Sequence, residues 1–277
     1  MSGMQPAPEV SVVIAARDAA AWIGDQLDAL ARQTFAGRLE VVVADNGSSD
    51  GTPAVVRRRP AVALVDADAG RGPAYARNAG VRHARAPLLL FCDADDVVDA
   101  GWVQAMVGAL GDYDAVGGFL DHAALNDERP RRWRPSEATA GGLPVGYAFL
   151  PFAPSSNMGI RRAAFDQLGG FDEALARAED VDLCWRLQGA GMKLGYEPAA
   201  RVAYRHRTRV LGTLKQAYEF GRAGATLCAK HGRRRPLGVR FVELARAAPR
   251  HLLTPGRQVD WLRKLSHDVG MLVGRLS

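Results

Sequence analysis

Between residues 10 and 92 the chain alternates continuous apolar runs with segments of helical spacing, and this constrains the fold more than any other feature. Val10–Ala16 (VSVVIAA), Leu39–Ala44 (LEVVVA), Val62–Asp66 and Leu88–Cys92 (LLLFC) are short and rich in apolar residues, the pattern of strands buried on both faces. Between the first two, Trp22, Ile23, Leu27 and Leu30 recur at the period of a helix. After the second, Pro53 opens a helix with Thr52 as its N-cap, and Ala74–Ala84 reads as another. Strands linked by helices are βαβ units, so the expected fold class is α/β: a Rossmann-like, mostly parallel sheet flanked by helices. Such sheets bind ligands outside the carboxyl ends of their strands. Arg17, Asp45, Asp66 and Asp93 fall there. A structural loop collects one acidic residue by chance, but acids after three successive strands are harder to dismiss.

The remainder is organised differently. Residues 121–156 are irregular, with several prolines and glycines, and so long a loop in a compact domain is expected to be functional or mobile. Gly159–Gly170 leads into Phe171-Asp172-Glu173. A helix is expected over Glu179–Gln188, burying Val181, Leu183, Cys184 and Leu187 and stopped by Gly189 and Gly191. From Thr213 onward Leu, Val and Ala recur among arginines at helical spacing, and Pro236 and Pro255-Gly256 divide this tail into two or three helices. The expected organisation is therefore a sheet domain over residues 1–210 and a basic, helical C-terminal extension over 211–277.

Composition removes several classes. With 277 residues, 48% hydrophobic and 24% charged, the chain is neither disordered nor collagen-like. Cys92, Cys184 and Cys228 are too few and too scattered for a disulfide framework or a structural zinc site, which fits a reducing compartment. Met1–Glu9 lacks the basic start and apolar stretch of a secretory signal. No apolar run approaches the roughly 20 residues of a spanning helix, so a cytoplasmic location is expected. The net charge of +6 is unevenly placed: from Arg201 onward 17 basic residues face 4 acidic ones, giving +13 and leaving −7 for residues 1–200. A basic tail on an acidic body suits an anionic partner such as a membrane surface, an acidic protein or nucleic acid. A solvated helical face is the plainer explanation.

Five constellations carry candidate chemistry. Asp93-Ala94-Asp95-Asp96 directly follows LLLFC. Alternate residues of an extended segment share a side, so Asp93 and Asp95 can face one cation. Hard divalent ions such as Mg²⁺ and Mn²⁺ take carboxylate oxygens and keep sites for phosphate oxygens. Asp-x-Asp occurs four times, at 66/68, 93/95, 112/114 and 180/182, and the 93/95 copy is the one directly after a buried strand of the alternating series. The alternative is that these acids cap a helix from about Val97. Asp45 ends a strand, where its carboxylate either accepts hydrogen bonds from a ligand N–H or forms an Asx turn. Arg77 either reaches a diphosphate or a base, or makes a surface ion pair. Glu179-Asp180-Val181-Asp182 begins a helix, and these acids either favour its dipole or supply a general base to an acceptor hydroxyl. His206 is either structural or a third metal ligand.

In order and spacing the segments resemble glycosyltransferase family 2, whose fold is GT-A. The matching stretches are VSVVIAARD at 10–18, VVVADNGSSDGT at 41–52, ARNAGVRHA at 76–84, LLLFCDADD at 88–96, SSNMGIRRAAFDQLGGFDE at 155–173, AEDVDLCWRLQGAG at 178–191 and YEPAARVAYRH at 196–206. The resemblance implies a nucleotide-sugar donor, most commonly a UDP-sugar, a divalent metal (Mn²⁺ or Mg²⁺) and inversion at the anomeric carbon. Carried over position by position, it implies that Asp45 binds the base, with Ala15 and Arg17 lining its pocket, and that Arg77 sits near the base or diphosphate. Asp93, with Ala94, contacts the donor or metal, and Asp95 holds the metal. Asp180 is the catalytic base, with Glu179 shaping the acceptor site. Asn157 and Met158 line the sugar or acceptor pocket, and His206 falls near an occasional metal-ligand histidine.

Two positions depart from the family pattern. The first strand ends Ala15-Ala16-Arg17-Asp18 rather than Pro-x-Tyr-Asn, which bears on base stacking, and Asn46 replaces a frequent second aspartate. The expected partners are the donor and an acceptor, with no nucleic acid. Peripheral membrane contact through the tail, a homodimer contact and packing of the tail on the domain remain open. The loop at 121–156 is expected to close over donor or acceptor. Two other classes compete. A non-catalytic nucleotide-binding or scaffolding protein is disfavoured by intact Asp45, Asp93, Asp95 and Asp180. A nucleotidyltransferase expects a Gly-rich, Lys/Arg-bearing phosphate loop where this chain has Ala-Ala-Arg-Asp-Ala-Ala.

Overall fold

The structure is a computed structural model that describes residues 6–133, 141–233, 242, 244–249 and 257–276. The four apolar runs form β1 (Val10–Ala16), β2 (Leu39–Asp45), β3 (Val62–Asp66) and β4 (Leu88–Cys92), joined by α1 (Ile23–Ala31), α2 (Thr52–Arg57) and α3 (Pro73–His83). The chain continues through β5 (Val97–Val98), α4 (Trp102–Ala109), β6 (Ala115–Asp121), α5 (Glu128–Trp133), β7 (Val145–Gly146), β8 (Leu150–Pro151), β9 (Asn157–Arg161), α6 (Arg162–Gln167), α7 (Glu179–Gly189), β10 (Leu194–Ala203), α8 (Val210–Lys230) and α9 (Gln258–Leu276).

Among the described residues the main sheet has eight strands in the order β3-β2-β1-β4-β9-β6-β10-β5. β1 runs parallel to β2 and β4, and β2 to β3, so these four strands deliver their carboxyl ends to one edge. Packing on both faces explains why the runs are mostly apolar. Val10, Val12 and Ile14 pack on one face against Ile23, Leu27 and Leu30 of α1. Val13 packs on the other face with Val42 and Phe91. β9 is antiparallel to both β4 and β6, and β10 is parallel to β6. The sheet is thus mixed but mostly parallel, as a GT-A fold requires.

Several local expectations change. No helix starts near Val97. Val97 and Val98 form β5, antiparallel to Val202 and Ala203 of β10, and the next helix starts at Trp102. Asp93–Asp96 is therefore a turn between strands, not a helix cap. α2 starts at Thr52 itself. The Thr52 hydroxyl accepts the Ala19 N–H at 2.8 Å instead of capping. Trp22 precedes α1, and fully buried Gln26 joins its inward face. The stretch 121–156 contains α5 and the β7–β8 ribbon. Residues 134–140, Pro236 and Pro255-Gly256 lie outside the described residues.

The C-terminal helices are docked on the sheet domain. Leu227 and Ala223 of α8 share an apolar cluster with Val181 and Trp185 of α7. Lys230 Nζ and His231 Nε2 each lie 2.8 Å from the fully buried Asp182 carboxylate. α8 and α9 cross backbone against backbone: a Cβ at Gly221 would overlap the His267 carbonyl, and one at Gly270 would overlap that of Tyr218. The boundary expected at 210/211 falls one residue inside α8, and packing continues across it. Among the described residues no helix is long and apolar enough to cross a membrane, and all three cysteines are buried thiols.

Candidate functional site

A cleft of about 730 Å³ opens at the carboxyl ends of β1 and β4. Its sheet-side wall is Ala15, Ala16, Arg17, Asn46, Gly72, Asp93, Ala94 and Asp95. The loops after β1 and β2 are fastened together. Asp18, at φ 50°, accepts the Ser49 N–H at 2.8 Å, and Asp50 accepts the Ala20 N–H at 3.0 Å. Asp45 is half-buried and accepts both the N–H and the hydroxyl of Ser48, at 3.2 and 2.5 Å. The cleft is lined by the next residue, Asn46, and not by Asp45 itself. The Asn46 amide donates to the Ala67 and Gly70 carbonyls, at 2.5 and 2.9 Å, and accepts the Gly72 N–H at 3.0 Å. Gly72 has φ 99°, a conformation that favours glycine. The asparagine that departs from the family pattern thus knots the β3–α3 loop to the cleft.

The Asp93–Asp96 turn is held from two sides. Gln26 donates to the Asp93 carbonyl at 3.1 Å and accepts the Val98 N–H at 3.0 Å. The Arg205 N–H donates to Asp96, and its Nε to the Asp95 carbonyl, both at 2.8 Å. Burial and the charge of Asp93 raise the Asp95 pKa. Burial, Asp93 and Asp95 push Asp96 well above the carboxylate range, and its Oδ2 is buried without a hydrogen-bond partner. Such an excess of negative charge suits a hard cation. Among the described residues no three His, Cys, Asp or Glu side chains gather as a metal cage. Of the turn's carboxylates, Asp93 and Asp95 line the cleft. His206 follows β10. Its ring is 5% exposed and stacks on His122, centroids 5.0 Å apart.

Arg77 links this turn to the helix acids. Its Nη2 lies 2.7 Å from Asp93 and its Nη1 2.6 Å from Glu179, 102 residues away. Burial alone would lower the Arg77 pKa, but Asp93, Glu179 and Asp180 outweigh it and raise the value. At 3% exposure Arg77 is a strut between two carboxylates. Glu179 is 4% exposed. Burial, against the opposing charge of Arg77, pushes its pKa up to about 7. Asp180 stays partly exposed, accepting the Ser155 N–H at 3.0 Å and the Val181 N–H at 2.8 Å. Burial raises its pKa, with those hydrogen bonds and Arg77 opposing and Asp93 adding. Asp93, Arg77, Glu179 and Asp180 thus form one charge cluster, although the cleft lining stops short of Asp180.

Two expected pocket residues belong to the core. Asn157 is fully buried. Its amide accepts Trp102 Nε1–H at 2.8 Å and donates to the Phe119 and Ala200 carbonyls at 2.9 Å. Met158, also fully buried, packs with Phe91 and Ile160. The far wall of the cleft was not anticipated. It is built from Trp22, Leu175, Arg177 and Arg207, with Glu219, Arg222, Ala223 and Thr226 of α8 and Gly274 of α9. The available signal was the spacing of Gly221 and Gly224 and of Gly270 and Gly274, which marks a close helix crossing.

Comparisons with known proteins agree with the fold. A family model described as glycosyl transferase family 2 matches residues 11–169. The pre-mycofactocin glycosyltransferase of Mycobacterium tuberculosis is 31% identical over 70% of this chain and 43% of its own length. The succinoglycan biosynthesis protein ExoO of Rhizobium meliloti is 34% identical over 72% of this chain and 61% of its own. The chain therefore spans 43% to 61% of these two relatives. Among solved structures, the mannosyltransferase PcManGT from Pyrobaculum calidifontis, in complex with GDP-Man and Mn²⁺, superposes with TM-score 0.67 at 21% identity, covering 98% of this chain and 88% of its own. S. aureus TarS 1-349 in complex with UDP gives TM-score 0.56 at 16% identity, covering 97% and 91%.

Proposed function

The chain belongs to glycosyltransferase family 2, and from that premise we propose that it moves a sugar from a nucleoside-diphosphate sugar to an acceptor hydroxyl, inverting the anomeric carbon. The observation that supports this most is the Asp93–Arg77–Glu179 link, which joins the cation-suited turn to the segment bearing the candidate base. The base and ribose of the donor lie against Ala15, Arg17, Asp45 and Asn46, and its diphosphate against Asp93-Ala94-Asp95. A divalent ion, Mn²⁺ or Mg²⁺, held by Asp93 and Asp95 would neutralise charge on the leaving diphosphate.

Asp180 takes the acceptor hydroxyl proton on a carboxylate oxygen. The acceptor oxygen bonds to the anomeric carbon as the bond to the diphosphate oxygen breaks, and the electron pair leaves with the nucleoside diphosphate. One displacement without an enzyme nucleophile gives inversion. A partly exposed carboxylate with a raised pKa suits this base role. Glu179, clamped by Arg77, is a positioning residue.

A UDP-sugar is the expected donor, and complexes of similar proteins with GDP-Man and with UDP set the first panel. Purified protein with Mn²⁺ is incubated with UDP- and GDP-hexoses, and donor hydrolysis is followed alongside calorimetry of UDP and GDP with and without the metal. Metal-dependent hydrolysis of one donor is expected. Tight metal-dependent binding without hydrolysis or transfer would favour the non-catalytic alternative.

A further inference from the structure

We propose that Arg222 and Thr226 of α8, with Arg207 in the same cleft, form an anion site that holds a phosphate group of a substrate; this rests on the transferase function proposed above. Four observations lead there. Both α8 side chains are exposed, yet they line the cleft that also contains Asp93 and Asp95. They lie one turn apart, so they share a helix face.

The charges of this wall are unbalanced. Arg177 is engaged: its Nη2 is 3.2 Å from Glu219, and its guanidinium lies 5.9 Å from the Phe220 ring centre. Neither Arg222 nor Arg207 has an ion-pair partner within salt-bridge distance among the described residues. Arg207 acts on the charge of the Asp95 carboxylate, so along α8 and the loop before it Arg177 and Arg222 stand against the single carboxylate of Glu219.

The Arg222 main chain is fixed while its head group is not. A Cβ at Gly274 would come within 2.8 Å of the Arg222 carbonyl oxygen, and one at Gly270 within 3.1 Å of its N. The helix cannot roll without opening this contact, so the guanidinium is presented from a rigid base. A guanidinium fork matches phosphate oxygens with two parallel N–H donors, and the Thr226 hydroxyl adds a third. The same cleft holds the acidic turn, beside which Arg207 acts on Asp95, and a divalent ion there would leave phosphate charge for Arg222 to meet. The phosphate can belong to the donor diphosphate or to the second substrate.

The test uses Arg222→Gln, Arg222→Lys as the charge-keeping variant, and Lys215→Gln as the control. Lys215 has a side chain 79% exposed on the same helix. Calorimetry at fixed ionic strength with Mn²⁺ measures UDP, GDP and their nucleosides, then inorganic phosphate titrated into protein saturated with the nucleotide. If the anion is the donor diphosphate, Arg222→Gln weakens nucleotide binding by about tenfold or more while nucleoside binding is unchanged. If it belongs to the second substrate, nucleotide affinity is kept, and phosphate binds the saturated wild type but not Arg222→Gln. In either case Arg222→Lys retains part of the effect and Lys215→Gln matches wild type. Nucleotide binding within twofold of wild type, together with phosphate binding that is absent or equal in both proteins, overturns the proposal. Wild type that binds no nucleoside diphosphate overturns the transferase function, and this site with it.

Discussion

Replacing Arg77 with methionine leaves two carboxylates without the charge between them. The Asp93 side chain is 33% exposed and can turn to water, whereas that of Glu179 is 6% exposed and cannot. Removing one partner of a buried ion pair costs about 3–5 kcal/mol. Protonation limits the loss, because the Glu179 pKa, already about 7, rises further without Arg77. A carboxyl whose folded pKa lies above its unfolded value of 4.5 contributes stability that is fully present below that value and is lost as pH rises through about 7. In the variant this loss extends to higher pH, so the deficit against wild type widens between pH 6 and pH 8. For a chain of this length 1 kcal/mol shifts Tm by about 2 °C. The expected deficit at pH 8 is therefore about 6–10 °C. Thermal melts at both pH values measure it, and adding Glu179→Gln to Arg77→Met should restore part of the loss and flatten its pH dependence. A variant melting within 2 °C of wild type at both pH values, or a deficit that shrinks as pH rises, would refute the strut.

Three further outcomes follow from the same geometry. Asp180→Asn is expected to lower transfer by about 10²–10⁴-fold with nucleotide affinity intact in calorimetry, and full transfer would remove its role as the base. Asp95→Ala is expected to abolish the gain in UDP or GDP affinity on adding Mn²⁺ while leaving metal-free binding near wild type; a persistent Mn²⁺ effect would place the cation elsewhere. Asn157→Ala is expected to destabilise the fold by about 2–4 kcal/mol in urea denaturation, because three buried partners lose their hydrogen bonds. Donor KM per folded molecule should stay unchanged, and a raised KM would return Asn157 to the sugar pocket.

The parallel half of the sheet was legible because its inner strands β2, β1 and β4 are largely buried, so the chain writes them as mostly apolar runs. β5 was not legible. A two-residue strand exists through its pairing with Val202 and Ala203, and nothing local to Val97 announces a partner more than 100 residues away. The same limit applies to Arg77. The sequence marks a conspicuous arginine, but whether its guanidinium meets ligand or carboxylate depends on where α7 docks. Asn157 and Met158 sit in a segment that resembles the family, yet position in a motif does not say which way a strand residue faces. Gln26 is the converse: a polar residue on the inward face of α1 was visible, and the buried turn it holds was the missing information. The role of α8 and α9 was hidden because basic helices at the end of a chain read as a solvated appendage.

The glycine-lined crossing of α8 and α9 has a consequence for engineering. A truncated protein ending near residue 209 would not be a minimal catalyst. It would lose a side of its own binding chamber and lay bare the indole of Trp185. Chimeras that exchange specificity between relatives should carry α8 and α9 together, because a graft point near residue 209 cuts through the chamber itself.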